Sequence, residues 1–224
     1  MNARPAAVAT DPDAERDLAG LYRASAKPRI VDVPRLTFLM IDGHGDPNTS
    51  RDYQDAVQTL YTLAYTLKFA IKRSGGADHK VSPLEGLWWA ADLSAFERAA
   101  KSEWDWTAMI RQPAEVTSTL LGEIESSVTK PLPALTKVRL ESFTEGLCAQ
   151  ILHVGPYSAE GPTIAALHAF IAEQGLRFEG DRRKHHEIYL GDPRRAAPER
   201  LRTIIRQPVD RRGSTEPAPK EIAR

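Results

Sequence analysis

Ile110-Arg111-Gln112-Pro113 recurs in this chain as Ile205-Arg206-Gln207-Pro208. Each copy closes a run that reads as a β-strand, and each ends in a proline, which cannot donate to a sheet ladder. The same order of elements precedes both copies: an apolar strand with a glycine turn, an amphipathic helix, then two further strands. The first strand reads at 36–42 and ends in Gly43-His44-Gly45-Asp46-Pro47-Asn48. Its counterpart at 146–154 ends in Gly155-Pro156-Tyr157. Gly45 and Gly155 are set as equivalent turn residues, able to take positive φ without penalty. A tetrapeptide can recur by chance, but recurrence at the same structural point favours an internal repeat.

The first helix is expected over 51–73, with Ala56, Leu60, Leu63, Ala64 and Leu67 on one stripe. Tyr53, Tyr61 and Tyr65 add aromatic surface to it, more often a sign of core packing than of a ligand box. Strands are expected at 83–90 and 103–112, joined by a loop with a helical turn at 92–101. A helix at 114–128 follows the first repeat, with Pro131 and Pro133 as linker and 135–143 as an extended stretch or the start of the next strand. The second repeat has its helix at 160–175, then strands at 185–190 and 201–209. A short helix at 17–24 precedes the whole, and Pro28 and Pro34 force extended chain.

The fold class expected is α+β. Duplicated strand–helix–strand–strand modules, related by a pseudo-two-fold axis, join into one antiparallel sheet with two helices over a central groove. Repeat one spans about 35–113 and repeat two about 136–209, within one domain over 17–209. Residues 1–16 and 210–224 read as disordered tails, being charged or proline-containing without apolar periodicity.

His185-His186-Glu187-Ile188-Tyr189-Leu190 is the strand that carries chemistry. Alternate side chains of a strand point to opposite faces. His185, Glu187 and Tyr189 therefore share one face, while His186, Ile188 and Leu190 share the other, a half-buried face with one polar end. A carboxylate on an interior face is costly unless it is paired or used. Glu187 points into the groove if its face is the helix face, and is solvated otherwise; sequence leaves both open. Glu85 of the first repeat can be set against Glu187.

Composition narrows the classes. Hydrophobic residues make up 42% of 224, and formal net charge is zero, so no general attraction to nucleic acid or anionic membrane is indicated. The single cysteine, Cys148, permits no intrachain disulfide and reads as a buried thiol. No apolar run has membrane-spanning length and no signal peptide is evident, so a cytoplasmic protein is expected. Adjacent histidines on a strand rarely share an ion, so no metal is expected. There is no phosphate loop, dinucleotide fingerprint or nucleophile elbow, and no cofactor is implied. All four tryptophans, Trp88, Trp89, Trp104 and Trp106, lie in the two strands after the first helix. Indole faces suit flat organic ligands, with core packing as the competing account.

Several stretches together resemble the GyrI-like family of small-molecule-binding proteins. They are Ile41-Asp42-Gly43-His44-Gly45-Asp46-Pro47-Asn48, the helix with Tyr61 and Tyr65 near Lys68, and Pro83-Leu84-Glu85-Gly86-Leu87-Trp88-Trp89. To these are added His153-Val154-Gly155-Pro156-Tyr157, His186-Glu187-Ile188-Tyr189-Leu190 with Asp192-Pro193, and the closing Ile205-Arg206-Gln207-Pro208. The resemblance implies the duplicated fold with a groove for hydrophobic, often cationic or polyaromatic compounds. It implies that Glu187 meets a ligand's positive charge, as the glutamate there does in drug-sensing members. Stand-alone members resemble hydrolases that open the strained cyclopropane of DNA-alkylating natural products. No helix-turn-helix is read before Asp17, so the chain does not resemble a transcription factor, and the helix at 114–128 departs from the shortest members.

Hydrolysis of such a substrate needs a base for water and a donor for the oxygen that gains charge. Glu187 is the candidate base and Tyr189 the candidate donor, with Trp88, Trp89, Trp106 and Tyr157 stacking on the substrate. A binding-only reading makes Glu187 an anionic anchor beside indoles that supply cation–π contact. A third reading is a protein-interaction module acting on a partner such as a topoisomerase.

Overall fold

The computed structural model describes residues 18–91, 100–178 and 184–211. In chain order these form β1 (Arg29–His44), α1 (Arg51–Arg73), β2 (Leu84–Trp89), β3 (Asp105–Gln112), α2 (Ser118–Ser127), β4 (Arg139–Val154), α3 (Gly161–Glu173), β5 (Leu176–Arg177), β6 (His185–Tyr189), β7 (Arg202–Pro208) and β8 (Asp210–Arg211). Six strands pair antiparallel in the order β1-β3-β2-β6-β7-β4, and β4 returns to β1 to close a barrel. Repeat one supplies β1, β3 and β2; repeat two supplies β4, β7 and β6. The two repeats meet at equivalent joints, β2 with β6 and β1 with β4, as a pseudo-two-fold duplication requires.

Closure depends on the length of β1 and β4. Each spans 16 residues: β1 runs well beyond the 36–42 run read from sequence, β4 joins most of the 135–143 stretch to the 146–154 run, and their ladder extends from Arg29↔Gln150 to Met40↔Arg139. Pro34 sits inside this ladder between the paired Val33 and Arg35. Its fixed φ lies in the range that extended backbone tolerates, so Pro34, read as extended chain, is part of the strand, while Pro28 lies just before it. Gly146, with φ of 74°, turns the middle of β4.

The ladders also fix the equivalences between repeats. Ile110 pairs with Leu84, whereas Ile205 pairs with Glu187. Superposing the two tetrapeptides therefore makes Leu84, not Glu85, the counterpart of Glu187. In the same way Gly43 pairs with Trp106, and the Gly155 N–H donates to the Leu201 carbonyl. Gly43, rather than Gly45, is the counterpart of Gly155.

α1 starts at Ser50, whose side chain accepts from the Tyr53 N–H, and carries Lys72 and Arg73 in its last turn, where they complement the helix dipole. Its stripe of Ala56, Leu60, Leu63, Ala64, Leu67 and Ile71 packs on Leu39, Ile41, Ala108 and Ile110 of the outer sheet face. Each such leucine contributes roughly 1.5–3 kcal/mol by leaving water. Leu121 and Ile124 of α2 join this core. Across the barrel, Leu167 and Ile171 of α3 cover Ala149, Ile151 and Ile205.

The inner face of the barrel is polar in part. His186, read as the polar end of a half-buried face, is 1% exposed. Its Nδ1 lies 3.0 Å from Glu145 Oε1 and its Nε2 lies 3.0 Å from Glu85 Oε2. Burial alone would push the imidazole pKa down, but Glu145 and Glu85 outweigh it and raise it to about 9. Arg206 donates to Gln150 (3.1 Å), to Glu145 (3.4 Å) and to the Leu21 carbonyl (2.7 Å). Burial would raise the Glu145 carboxyl, yet His186 and Arg206 hold it below its ordinary value. Tyr22 donates to Glu85 at 2.7 Å. These bonds seat the helical turn at 18–21 against the barrel.

Asp210 and Arg211, placed in the C-terminal tail from sequence, pair with Arg177 and Leu176. The expected tail at 1–16, the rest of the one expected at 210–224, and most of the expected 92–101 loop lie outside the described residues.

Candidate small-molecule site

A cavity of about 2030 Å³ opens between α1 and α3, larger than the roughly 300–1,000 Å³ common for small-molecule sites. α1 contributes Tyr53, Val57, Tyr61 and Tyr65; β2 contributes Leu84 and Trp88; β6 contributes His185, Glu187 and Tyr189; and Tyr157, Glu160 and Ile164 come from the start of α3 and the turn before it. Trp104 closes one side. The aromatic walls meet edge to face: Trp88–Trp104 ring centroids are 5.9 Å apart and Tyr157–Tyr189 are 5.6 Å apart.

The period of β6 decides which groups face this space. With Ile188 at 0% and His186 at 1% exposure on the barrel interior, alternation turns His185, Glu187 and Tyr189 outward beneath the helices. The solvated alternative for Glu187 is thereby removed: its side chain is 14% exposed. Tyr189 donates to Glu187 Oε2 at 2.7 Å, and His185 Nε2 lies 3.2 Å from Oε1. The Gln207 amide donates to His185 Nδ1 at 3.2 Å, an assignment that leaves Nε2 as the nitrogen carrying the proton toward Glu187. Trp88 Nε1–H in turn donates to the Tyr189 oxygen at 3.1 Å.

Glu160 enters the site from the N-terminus of α3 and is 6% exposed. Its carboxyl adjoins that of Glu187. Two buried carboxyls in such contact cannot both ionise. Burial, then the charge on Glu187, raises Glu160 to about 9. Burial would raise Glu187 too, but the bonds from His185, Tyr189 and Glu160 hold it below its ordinary value. The pair thus carries one proton and one negative charge at neutral pH, with the charge on Glu187. Burial beside this charge pushes the Tyr157 hydroxyl up to about 12 and Tyr189 well above its ordinary value, so the phenols are neutral donors.

The profile of the GyrI-like small molecule binding domain matches residues 26–210. The chain belongs to the GyrI-like family. Among solved structures, an uncharacterised conserved protein from Listeria innocua is 42% identical, with 88% of this GyrI-like chain and 98% of that one covered and a TM-score of 0.81. A protein described as a hydrolase from the same organism is 41% identical over the same shares, with a TM-score of 0.76. The EcmrR C-terminal domain shares the fold at 9% identity and a TM-score of 0.50, covering 83% of this chain and 98% of that one. No curated protein matches the chain.

Of the residues singled out from sequence, Glu187, Tyr189, Trp88 and Tyr157 line the GyrI-like cavity together. Trp89 and Trp106 do not. Trp89 falls on the opposite face of β2, packed with the cluster of Phe38, Leu87 and Met109, and the Lys184 ammonium lies 3.6 Å from its ring centroid. Trp106 is 1% exposed, seated over Gly43 and edge-on to Tyr53 at 5.0 Å. Tyr189 was expected to donate to a ligand oxygen; in the structure its proton is committed to Glu187.

Sequence reasoning raised Trp104 only as one of four tryptophans, took Tyr53 for core packing, and missed Glu160 as a cavity residue. Trp104 and Tyr53 carried the signal in their aromatic clusters, but periodicity does not separate core from wall. Glu160 carried one faint sign, a glutamate where a helix N-cap favours Ser, Thr, Asp or Asn; its side chain makes no cap bond. Among the described residues no group of His, Cys, Asp and Glu could hold a metal ion, and no helix is long and apolar enough to cross a membrane.

Proposed function

We propose that the cavity takes a flat aromatic compound, with Glu187 countering a positive charge on it, and that it hydrolyses strained cyclopropanoid alkylating agents. The observation that carries this reading is the ionised Glu187, buried in an aromatic-walled cavity and held by hydrogen-bond donors rather than by a lysine or arginine. Desolvated negative charge beside Trp88, Trp104 and Tyr157 favours an aromatic cation by Coulomb attraction and cation–π contact. A carboxylate that stays ionised at neutral pH can also take a proton from water attacking a ring carbon, while ring strain and positioning lower the barrier. The likeness to a Listeria innocua protein described as a hydrolase, at 41% identity, supports the catalytic part.

The test is incubation of substoichiometric protein with a cyclopropane-containing DNA alkylator, with ring-opened product followed by chromatography. Multiple turnovers that disappear in Glu187→Gln are the expected result. Absence of turnover, with one-to-one quenching of tryptophan fluorescence by a cationic aromatic dye, would leave a sequestering module. Neither response would overturn the small-molecule reading of this cavity and move the weight to a protein partner.

A further inference from the structure

Tyr157 stands in the cavity wall, edge-on to Tyr189, yet it sits in a single 3₁₀ turn, Tyr157–Ala159, between the end of β4 and α3. A turn of that length has poor hydrogen-bond geometry and little stability of its own. The helix after it gives scant help, since the Glu160 side chain at its N-cap makes no cap bond. His153 ties these pieces together. It is 5% exposed near the end of β4, with Nε2 3.2 Å from the Pro156 carbonyl oxygen and Nδ1 2.9 Å from Thr163 Oγ1. A carbonyl only accepts, so Nε2 is assigned the proton, and in the neutral ring Nδ1 accepts from the Thr163 hydroxyl. Pro156 directly precedes Tyr157, and Thr163 lies in the first turn of α3. The strand end that carries the imidazole is itself fixed: His153 pairs with Thr203 of β7, and the Gly155 N–H donates to the Leu201 carbonyl. The chain can fold back over the ring because residue 155 is glycine, with φ of 140° and only 3.3 Å between Nε2 and the place a Cβ would take.

We propose that His153 is a positioning residue for ligand binding, aiming the Tyr157 ring into the cavity by holding the Pro156 carbonyl and the first turn of α3 to the end of β4. This deepens the small-molecule reading above and rests on it. His153 is not among the residues that line the cavity, so it acts through Tyr157 rather than on the ligand. Without the imidazole, the Pro156 carbonyl keeps the Ala159 N–H at 2.8 Å, so the turn retains its local shape and loses its anchorage to the sheet. The apolar packing of α3 begins only further along, at Leu167 and Ile171. The Tyr157 ring then takes up several orientations, and a ligand has to order it on binding, which weakens affinity. With His153 in place the ring is ordered before the ligand arrives.

The test measures the Kd of a cationic aromatic dye by tryptophan quenching in the full chain, with Tm alongside. His153→Ala is expected to weaken dye binding about tenfold. His153→Gln, whose amide N–H restores a donor for the Pro156 carbonyl, is expected to bind within about threefold of wild type. In a Tyr157→Ala background, His153→Ala should change affinity by no more than about twofold, because the ring it aims is gone. Thr163→Val leaves the imidazole anchored at one nitrogen and is expected to weaken binding about threefold; it enters the same cycle with Tyr157→Ala should His153→Ala fail to fold. A histidine that serves folding alone would lower Tm and leave the Kd of the folded variants unchanged, and that result overturns the proposal. An equal loss of affinity with and without the Tyr157 ring overturns it too. In both cases the wild type still binds dye, so the small-molecule reading stands. A wild type that binds no dye removes that reading and the positioning role with it.

Discussion

Gly86 stands opposite Glu187 in the β2–β6 ladder, and its missing side chain is the space into which the Trp88 indole folds. A Cβ on Gly86 would lie 2.8 Å from Trp88 Nε1. The ring would have to swing away, breaking the 3.1 Å bond to Tyr189. Gly86→Ala is therefore expected to weaken binding of a cationic aromatic dye tenfold or more and to cost about 1–3 kcal/mol of stability. Titration by fluorescence and urea denaturation read the two effects; unchanged affinity would mean that the Trp88 position is not used.

The indoles divide by face. Trp104 lines the cavity and Trp89 does not. Trp104→Ala is expected to reduce dye affinity several-fold, whereas Trp89→Ala should leave it within about twofold while lowering Tm through lost packing. Equal losses of affinity in both variants would contradict this division.

The barrel interior supplies a stability test separate from ligand binding. Removing one partner of a buried ion pair leaves the other uncompensated, at about 3–5 kcal/mol. Arg206→Met strips Glu145 and Gln150 of a donor and releases the Leu21 carbonyl. A loss of that size in urea unfolding is expected, and a variant as stable as wild type would show that the network is replaceable.

Alkaline pH should weaken the fold. The His186 pKa is raised from 6.5 to about 9 by its carboxylate partners. Its contribution is whole below about 6.5 and is lost as pH rises through about 9. Glu160 is raised from 4.5 to about 9. Between those limits the unfolded chain gives up a proton that the folded chain keeps, so this group also makes stability fall with pH. Each contributes at most about 1.4 kcal/mol per pH unit within its window. Tm is expected to drop steadily from pH 6.5 to 9.5. Glu160→Gln, which removes the second titrating group, should melt higher than wild type at pH 8 with a shallower slope; a slope identical to wild type would place the shared proton elsewhere.

Much of the architecture was legible because it is local. The stripe from Ala56 to Leu67 marks α1, and the paired tetrapeptides mark the ends of β3 and β7. Strand alternation grouped His185, Glu187 and Tyr189 on one face. Less local features were not legible. Pro34 read as extended chain, but its place inside a 16-residue strand depends on the partner strand β4. The cavity wall could not be separated from the core, because Trp88, Trp104 and Trp106 share strand and composition signals and differ only in what packs over them.

The sequence by itself determined the duplication, the order of helices and strands, and the residues able to supply charge and aromatic surface, since these follow from periodicity and side-chain chemistry along a few consecutive positions. Only the tertiary structure decided that β1 and β4 close the sheet into a barrel. It also decided that His186 is enclosed between Glu85 and Glu145, and that Glu160 meets Glu187. Those contacts join residues 27 to 121 positions apart. Whether they form depends on ladder register and helix docking, which no short stretch of sequence encodes.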